Sequence, residues 1–157
     1  MAARLPSPGL VCPGQLRVHR HPVKFLVDAN VLSEATKTSP DERVITWLTR
    51  YERDIAIDPI ILGEIRFGIL LLPRGKRRER LEHWFDSGMT RIHCVPFDAA
   101  VGRSWAVLIA KLRTKGRAMP LKDSLIAATA ITHDLTVVTR NRTDFEKADI
   151  KIIDPFA

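Results

Sequence analysis

Asp28, Glu64, Asp123 and Asp144 are four acids in places where a carboxylate needs a reason. Asp28 follows the apolar Leu26-Val27 and precedes Ala29-Asn30-Val31-Leu32, so it stands where a buried strand ends. An acid there either meets a ligand at a sheet edge or caps the next helix, a role Asp performs well. Glu64 lies in Ile60-Ile61-Leu62-Gly63-Glu64-Ile65, a helical stretch apolar nearly all round, which predicts a mostly buried helix. A lone carboxylate buried there is costly unless it is paired or bound to a metal. Arg66 is not the partner, because residues two apart on a helix do not face each other. Asp123 opens Asp123-Ser124-Leu125-Ile126-Ala127-Ala128-Thr129-Ala130, where Ala127 and Ala130 share its face and let the helix lie close to a sheet. The plainer role for Asp123 is a first-turn acid favoured by the helix dipole, worth about 0.3–1 kcal/mol. Asp144 sits with Arg140, Asn141 and Arg142 after the apolar Val137-Val138; alone, that segment reads as a polar loop with a short helical turn.

The combination changes the balance. Converging carboxylates raise each other's pKa unless a cation neutralises them. An Asp/Glu cluster without His or Cys selects hard, oxygen-seeking ions, Mg²⁺ or Mn²⁺. Such ions polarise phosphoryl oxygens and acidify a bound water. No GxxxxGK[ST] loop is present, which argues against nucleotide hydrolysis. Phosphodiester hydrolysis on a longer polyanion fits better.

Short apolar runs at residues 23–28, 54–57, 92–95, 135–139 and 150–153 read as strands. Between them lie helical patterns. Ser39-Pro40-Asp41-Glu42 reads as a capping box opening a helix with Val44, Trp47, Leu48 and Tyr51 on one stripe. Further helices are expected over residues 59–72, 76–85, 98–115 and 122–133. The alternation predicts an α/β fold, a central mostly parallel β-sheet flanked by helices. Such sheets bind ligands beyond the carboxyl ends of their strands, where the strand order reverses.

The 157 residues suit one domain, expected over residues 23–157. Residues 1–22 carry four prolines, no acid and no periodicity, and read as a disordered extension. The net charge of +7 favours a polyanionic partner. Lys111, Arg113, Lys115, Arg117 and Lys122 crowd the approach to Asp123, while Arg74, Lys76, Arg77, Arg78 and Arg80 form a second cluster. Two cysteines, Cys12 and Cys94, are too few for a disulfide framework and lack zinc spacing, which fits a cytoplasmic protein. The longest apolar run, residues 65–72, is broken by Arg66 and Gly68 and far too short to span a bilayer.

Val27-Asp28-Ala29-Asn30-Val31-Leu32-Ser33-Glu34 resembles the opening motif of PIN-domain proteins. Glu64, Lys122-Asp123-Ser124-Leu125-Ile126-Ala127-Ala128-Thr129-Ala130 and Val138-Thr139-Arg140-Asn141-Arg142-Thr143-Asp144-Phe145 resemble its second, third and fourth acidic motifs, in order. The likeness is close to the VapC/StbB/FitB branch of toxin–antitoxin ribonucleases. It implies Mg²⁺, with Mn²⁺ also serving, held by Asp28, Asp123, Glu64 and Asp144 as catalytic acids. Asn30, Asn141 and Ser124 would support them, and Lys111, Arg113, Lys115, Arg117 and Arg140 would bind RNA. It further implies a cognate antitoxin, a homodimer, and operator DNA met only through the antitoxin; the apolar portion of the helices over residues 59–72 and 76–85 is the candidate dimer surface. Ala29 departs from relatives with Thr or Ser there, and the choice between Asn141 and Asp144 at the metal stays open. The alternative is a PIN-fold binding module in an antitoxin–DNA complex with little nuclease activity. A phosphatase using Asp28 as nucleophile would need a second Asp where Asn30 stands, and 6% aromatic residues are few for stacking sugars.

Overall fold

The computed structural model describes residues 22–157, so the expected extension at residues 1–22 falls, but for its last residue, outside the described chain. The apolar runs form β1 (Phe25–Val27), β2 (Ile55–Ile57), β3 (His93–Cys94), β4 (Thr136–Val138) and β5 (Ile152–Ile153). All pair in parallel, in the order β3-β2-β1-β4-β5. The strands are shorter than the runs suggest because helices begin almost at once: Asp28 and Asp58 cap helices one residue beyond β1 and β2. From β1 the chain builds outward to β2 and β3, then returns to place β4 and β5 on the other side of β1. The order therefore reverses between β1 and β4, and a crevice at their carboxyl ends follows.

The helices are α1 (Ala29–Leu32), α2 (Glu42–Arg50), α3 (Pro59–Leu70), α4 (Lys76–Gly88), α5 (Ala99–Thr114), α6 (Leu121–His133) and α7 (Arg142–Phe145). Leu26, Val27, Ala56, Ile57, Val137 and Val138 are buried in the sheet, and Ile61, Ile126, Ala127 and Ala130 bury against that layer from α3 and α6. The small Ala127 and Ala130 are both buried, on the face that their spacing from Asp123 predicts. Helix α2 buries Val44, and its Trp47 and Tyr51 form an aromatic trio with Phe25, centroids 4.9–5.1 Å apart. No helix among the described residues is long and apolar enough to cross a membrane.

Two local expectations change. Helix α2 starts at Glu42 with Asp41, not Ser39, as N-cap. The Asp41 carboxylate accepts from the Arg43 amide at 2.9 Å and holds the Arg43 guanidinium at 2.7 Å. The Asp41 amide in turn donates to the buried Glu34 at 2.9 Å, fixing the entry to the helix two residues later than a Ser39 cap would. Helix α3 is not mostly buried: Ile61, Ile65 and Ile69 face inward, while Phe67 is 62% and Leu70 45% exposed. Its C-terminus is tied down instead by Arg78 of α4, which donates to the carbonyls of Leu70 and Leu72.

Asp58 is fully buried, with its Oδ1 accepting from the Ile61 amide at 2.9 Å and its Oδ2 from the Thr129 hydroxyl at 2.8 Å. It thereby caps α3 and staples it to α6. Burial pushes its carboxyl pKa up, against the pull of those two donors. Asp58→Ala removes a cap and leaves the Thr129 hydroxyl only its longer contact to Leu125 O, so urea unfolding should show a loss of about 2–3 kcal/mol. Asp58→Asn keeps an acceptor without a charge to bury and should lose less than half of that.

Candidate active site

Parallel pairing of Val27 with Val138 sets Asp28 beside Thr139 where β1 and β4 end. The Asp28 amide donates to Val138 O at 2.9 Å, so the backbone locks this junction. Asp28 Oδ1 accepts from the Ala29 amide at 2.8 Å, the helix cap that Asp in this place was expected to make. Its Oδ2 accepts from the Thr139 hydroxyl at 2.7 Å and from Asn30 Nδ2 at 3.0 Å. Capping and site position are thus one arrangement. Thr139 is fully buried and saturated: it donates to Asp28 and accepts from Asn30 Nδ2 at 3.2 Å and the Asn141 amide at 3.0 Å. Asn30 Oδ1 accepts from the Arg140 amide at 3.2 Å, completing the bridge between α1 and the segment after β4.

Asp123 enters from the first turn of α6 and is 8% exposed. Asn141 Nδ2 donates to Asp123 Oδ2 at 3.2 Å and to Asp144 Oδ2 at 3.0 Å, joining two acids through one amide. Glu64 reaches in from α3, 29% exposed, with Oε1 accepting from Lys122 Nζ at 2.5 Å. It is therefore not the lone buried carboxylate that the apolar helix implies; the partner comes from α6, 58 residues away, where helix periodicity could not reveal it.

The electrostatics record the crowding. Desolvation pushes the Asp123 carboxyl up to about 6, with the charges of Asp28 and Asp144 adding to the rise. Asp28 is also raised, first by burial and then by Glu64, against the Thr139 hydrogen bond. Asp144 goes the other way: Lys147 at 2.8 Å and the Asn141 amide hold it below the usual carboxylate range. Buried acids elsewhere are structural, Asp58 as cap and staple and Glu34 in its pair with Lys37 at 2.6 Å.

Ser124 faces away from the acids. Its hydroxyl donates to Leu121 O at 2.6 Å and accepts from Trp105 Nε1 at 2.9 Å, so it joins α6 to α5. Lys111, Arg113, Lys115 and Arg117 are exposed on the last turns of α5 and the loop leading to α6, with Lys115 paired to Asp149 at 3.4 Å. Arg140 stacks its guanidinium 5.0 Å from the Phe156 ring centroid, beside the Asn30 bridge. Sequence reasoning missed Thr139 and the Lys122–Glu64 pair. Thr139 was visible as a hydroxyl closing the run Val137-Val138, but only the β1–β4 register shows that it meets Asp28.

Side-chain donors from the acids are all oxygens, their charges repel, and Glu64 Oε2 is buried without a hydrogen-bond partner. That chemistry fits a hard divalent cation. Among the described residues no three acids, His or Cys are already drawn together as a ligand set. Asn30, Asn141 and Lys122 hold the carboxylates instead.

The PIN domain matches residues 25–151. The chain is 34% identical over 136 residues to VapC ribonuclease Y4jK of Sinorhizobium fredii, covering 84% of this chain and 97% of that protein. It superposes on the crystal structure of FitAcB from Neisseria gonorrhoeae with a TM-score of 0.77 at 34% identity, covering 84% of this chain and 98% of the other. A member of the VapBC family of toxin–antitoxin systems, VapBC-5 from Mycobacterium tuberculosis, matches with a TM-score of 0.64 at 25% identity, covering 84% and 98%.

The raised Asp123 carboxyl has a consequence for stability. Between its ordinary value of 3.8 and about 6, the folded protein holds more protons than the unfolded chain, so stability falls as pH rises through that window. Above it the cost of ionised Asp123 is fully present. In EDTA, Asp123→Asn should therefore raise the unfolding free energy at pH 7.5 by about 1–2 kcal/mol, after allowance for solvent screening at the pocket rim. The gain should vanish by about pH 4. A mutant no more stable than wild type at pH 7.5 would show that the acids do not crowd in solution.

Proposed function

The chain belongs to the PIN-domain family, and from that premise we propose that it is a Mg²⁺-dependent endoribonuclease, the toxin of a toxin–antitoxin pair. One observation carries the reading: Asp28, Glu64 and Asp123, from three separate elements, meet at the crevice where the strand order reverses, and Asp123 is pushed up to about 6, first by burial and then by the charges of Asp28 and Asp144. Relatives named as a ribonuclease and as a toxin–antitoxin system support the activity and the setting.

In this reading Asp28, Asp123 and Glu64 hold Mg²⁺ (or Mn²⁺), with Asp144 and Asn141 at the outer rim. The ion supplies positive charge that polarises a phosphate oxygen and makes water easier to deprotonate. The chain does the rest. Thr139 and Asn30 fix the Asp28 carboxylate, so it needs no reorganisation when substrate arrives. Asn141 ties Asp123 and Asp144 together through one amide, and Lys147 neutralises Asp144. Arg140, steadied on Phe156, offers its guanidinium to a backbone phosphate at the crevice mouth. The exposed Lys111, Arg113, Lys115 and Arg117 attract the rest of the polyanion.

A cleft of about 480 Å³ runs from Asn30, Glu64 and Lys122 past Phe67 and Leu72 to Leu81 and Trp84, with Arg77 on its wall. In the toxin reading an apolar antitoxin segment fills it, which would cover the exposed Phe67 and close the route to the acids. Homodimerisation through the remaining apolar surface of α3 and α4, operator DNA reached through the antitoxin, and a cytoplasmic setting belong to the same reading.

Antitoxin-free protein should cut RNA with Mg²⁺ or Mn²⁺ and stop in EDTA, and Asp28→Asn and Asp123→Asn should each cut on the order of a hundredfold less or worse. Thr139→Val, which removes the hydroxyl that orients Asp28 and receives Asn30 and the Asn141 amide, should cost about 10–100-fold in rate. No cutting across a broad RNA panel by folded, metal-bound protein would leave the binding-module reading in its place.

A further inference from the structure

Lys122 is placed against an unfavourable field. It lies in the first turn of α6, where the helix dipole disfavours positive charge. Its ammonium nevertheless turns inward, donates to Glu64 Oε1 at 2.5 Å and lines the same cleft as Ala29 and Asn30. It also interacts electrostatically with Asp28 and Asp123, so one cation offsets acids from three elements. The other Glu64 oxygen stays buried and without a hydrogen-bond partner. With 50% of its side chain exposed, Lys122 can swing into solvent while losing little packing.

We propose that Lys122 is a built-in counter-ion that competes with the divalent cation for the Glu64 carboxylate, holding the empty site together and setting how much Mg²⁺ is needed to displace it. The inference rests on the reading of Asp28, Glu64 and Asp123 as a divalent-cation site. An ammonium and a divalent ion repel each other across one carboxylate, so loading the site requires breaking a charge-assisted hydrogen bond and moving a positive charge outward. Lys122 then lowers affinity for the metal while it prevents the acids from repelling one another in its absence. Geometry alone distinguishes it from Lys147, which pairs with Asp144 at the rim and leaves Glu64 untouched.

Calorimetric titration of Mn²⁺ into the metal-stripped full chain, without RNA, tests this. Lys122→Gln should bind Mn²⁺ roughly three- to tenfold more tightly than wild type, the range set by the modest strength of a half-exposed ion pair. Lys122→Arg, which keeps the charge, should stay at the wild-type affinity. The gain from Lys122→Gln should shrink markedly when Glu64→Gln is also present, because the carboxylate that Lys122 holds directly is gone and only its longer-range effect on Asp28 and Asp123 remains. Wild-type binding with equal or weaker affinity in Lys122→Gln overturns the competition and leaves the metal site standing. Absence of Mn²⁺ binding in wild type and Lys122→Gln alike overturns both.

Discussion

The hydrogen bond from the Thr139 hydroxyl to Asp28 joins residues 111 apart in the chain, at 2.7 Å, in a buried place. It exists because β1 and β4 are neighbours in register, and they are neighbours because the chain reverses its direction of building there. Parallel strands need crossover helices, and right-handed crossovers place those helices on the faces of the sheet. The free carboxyl edge is then open to side chains from the ends of β1, β4, α3 and α6. Once Thr139 meets Asp28, the segment after β4 has little choice: its backbone is held by Asn30, and Asn141 falls between Asp123 and Asp144.

Holding carboxylates close to one another has a cost, and the structure distributes it. Asp28 is offset by a hydroxyl and two amides, Glu64 by Lys122, and Asp144 by Lys147. Asp123 receives one weak amide contact at 3.2 Å and carries the largest visible perturbation of the set. The contrast with Asp58 is instructive. That acid is more deeply buried, yet both its oxygens meet donors within the fold, so it behaves as a structural staple.

Much of this was legible in the residues. Strand-terminal Asp28, the small face Ala127 and Ala130 behind Asp123, and the alternation of apolar runs with helices all foretell the parallel sheet and the edge at which to look. The local periodicity of α3 misleads, because a helix apolar on every side can be read as buried when one face is in fact left open at Phe67 and Leu70. Ser124 follows Asp123 in the chain, but successive helix residues point about a hundred degrees apart, and its hydroxyl meets Trp105. Thr139 and Lys122 acquire meaning only through partners more than fifty residues away. Sequence spacing reports neighbours along one element and is silent about register between elements.

The outer strands β3 and β5 contribute only two residues each to the sheet. So short an edge presents few unpaired amide and carbonyl groups, and strand addition from another chain would find almost no ladder to extend. Recognition of any protein partner must therefore be written in side chains, and it can diverge between related chains by surface substitution while the sheet stays unchanged.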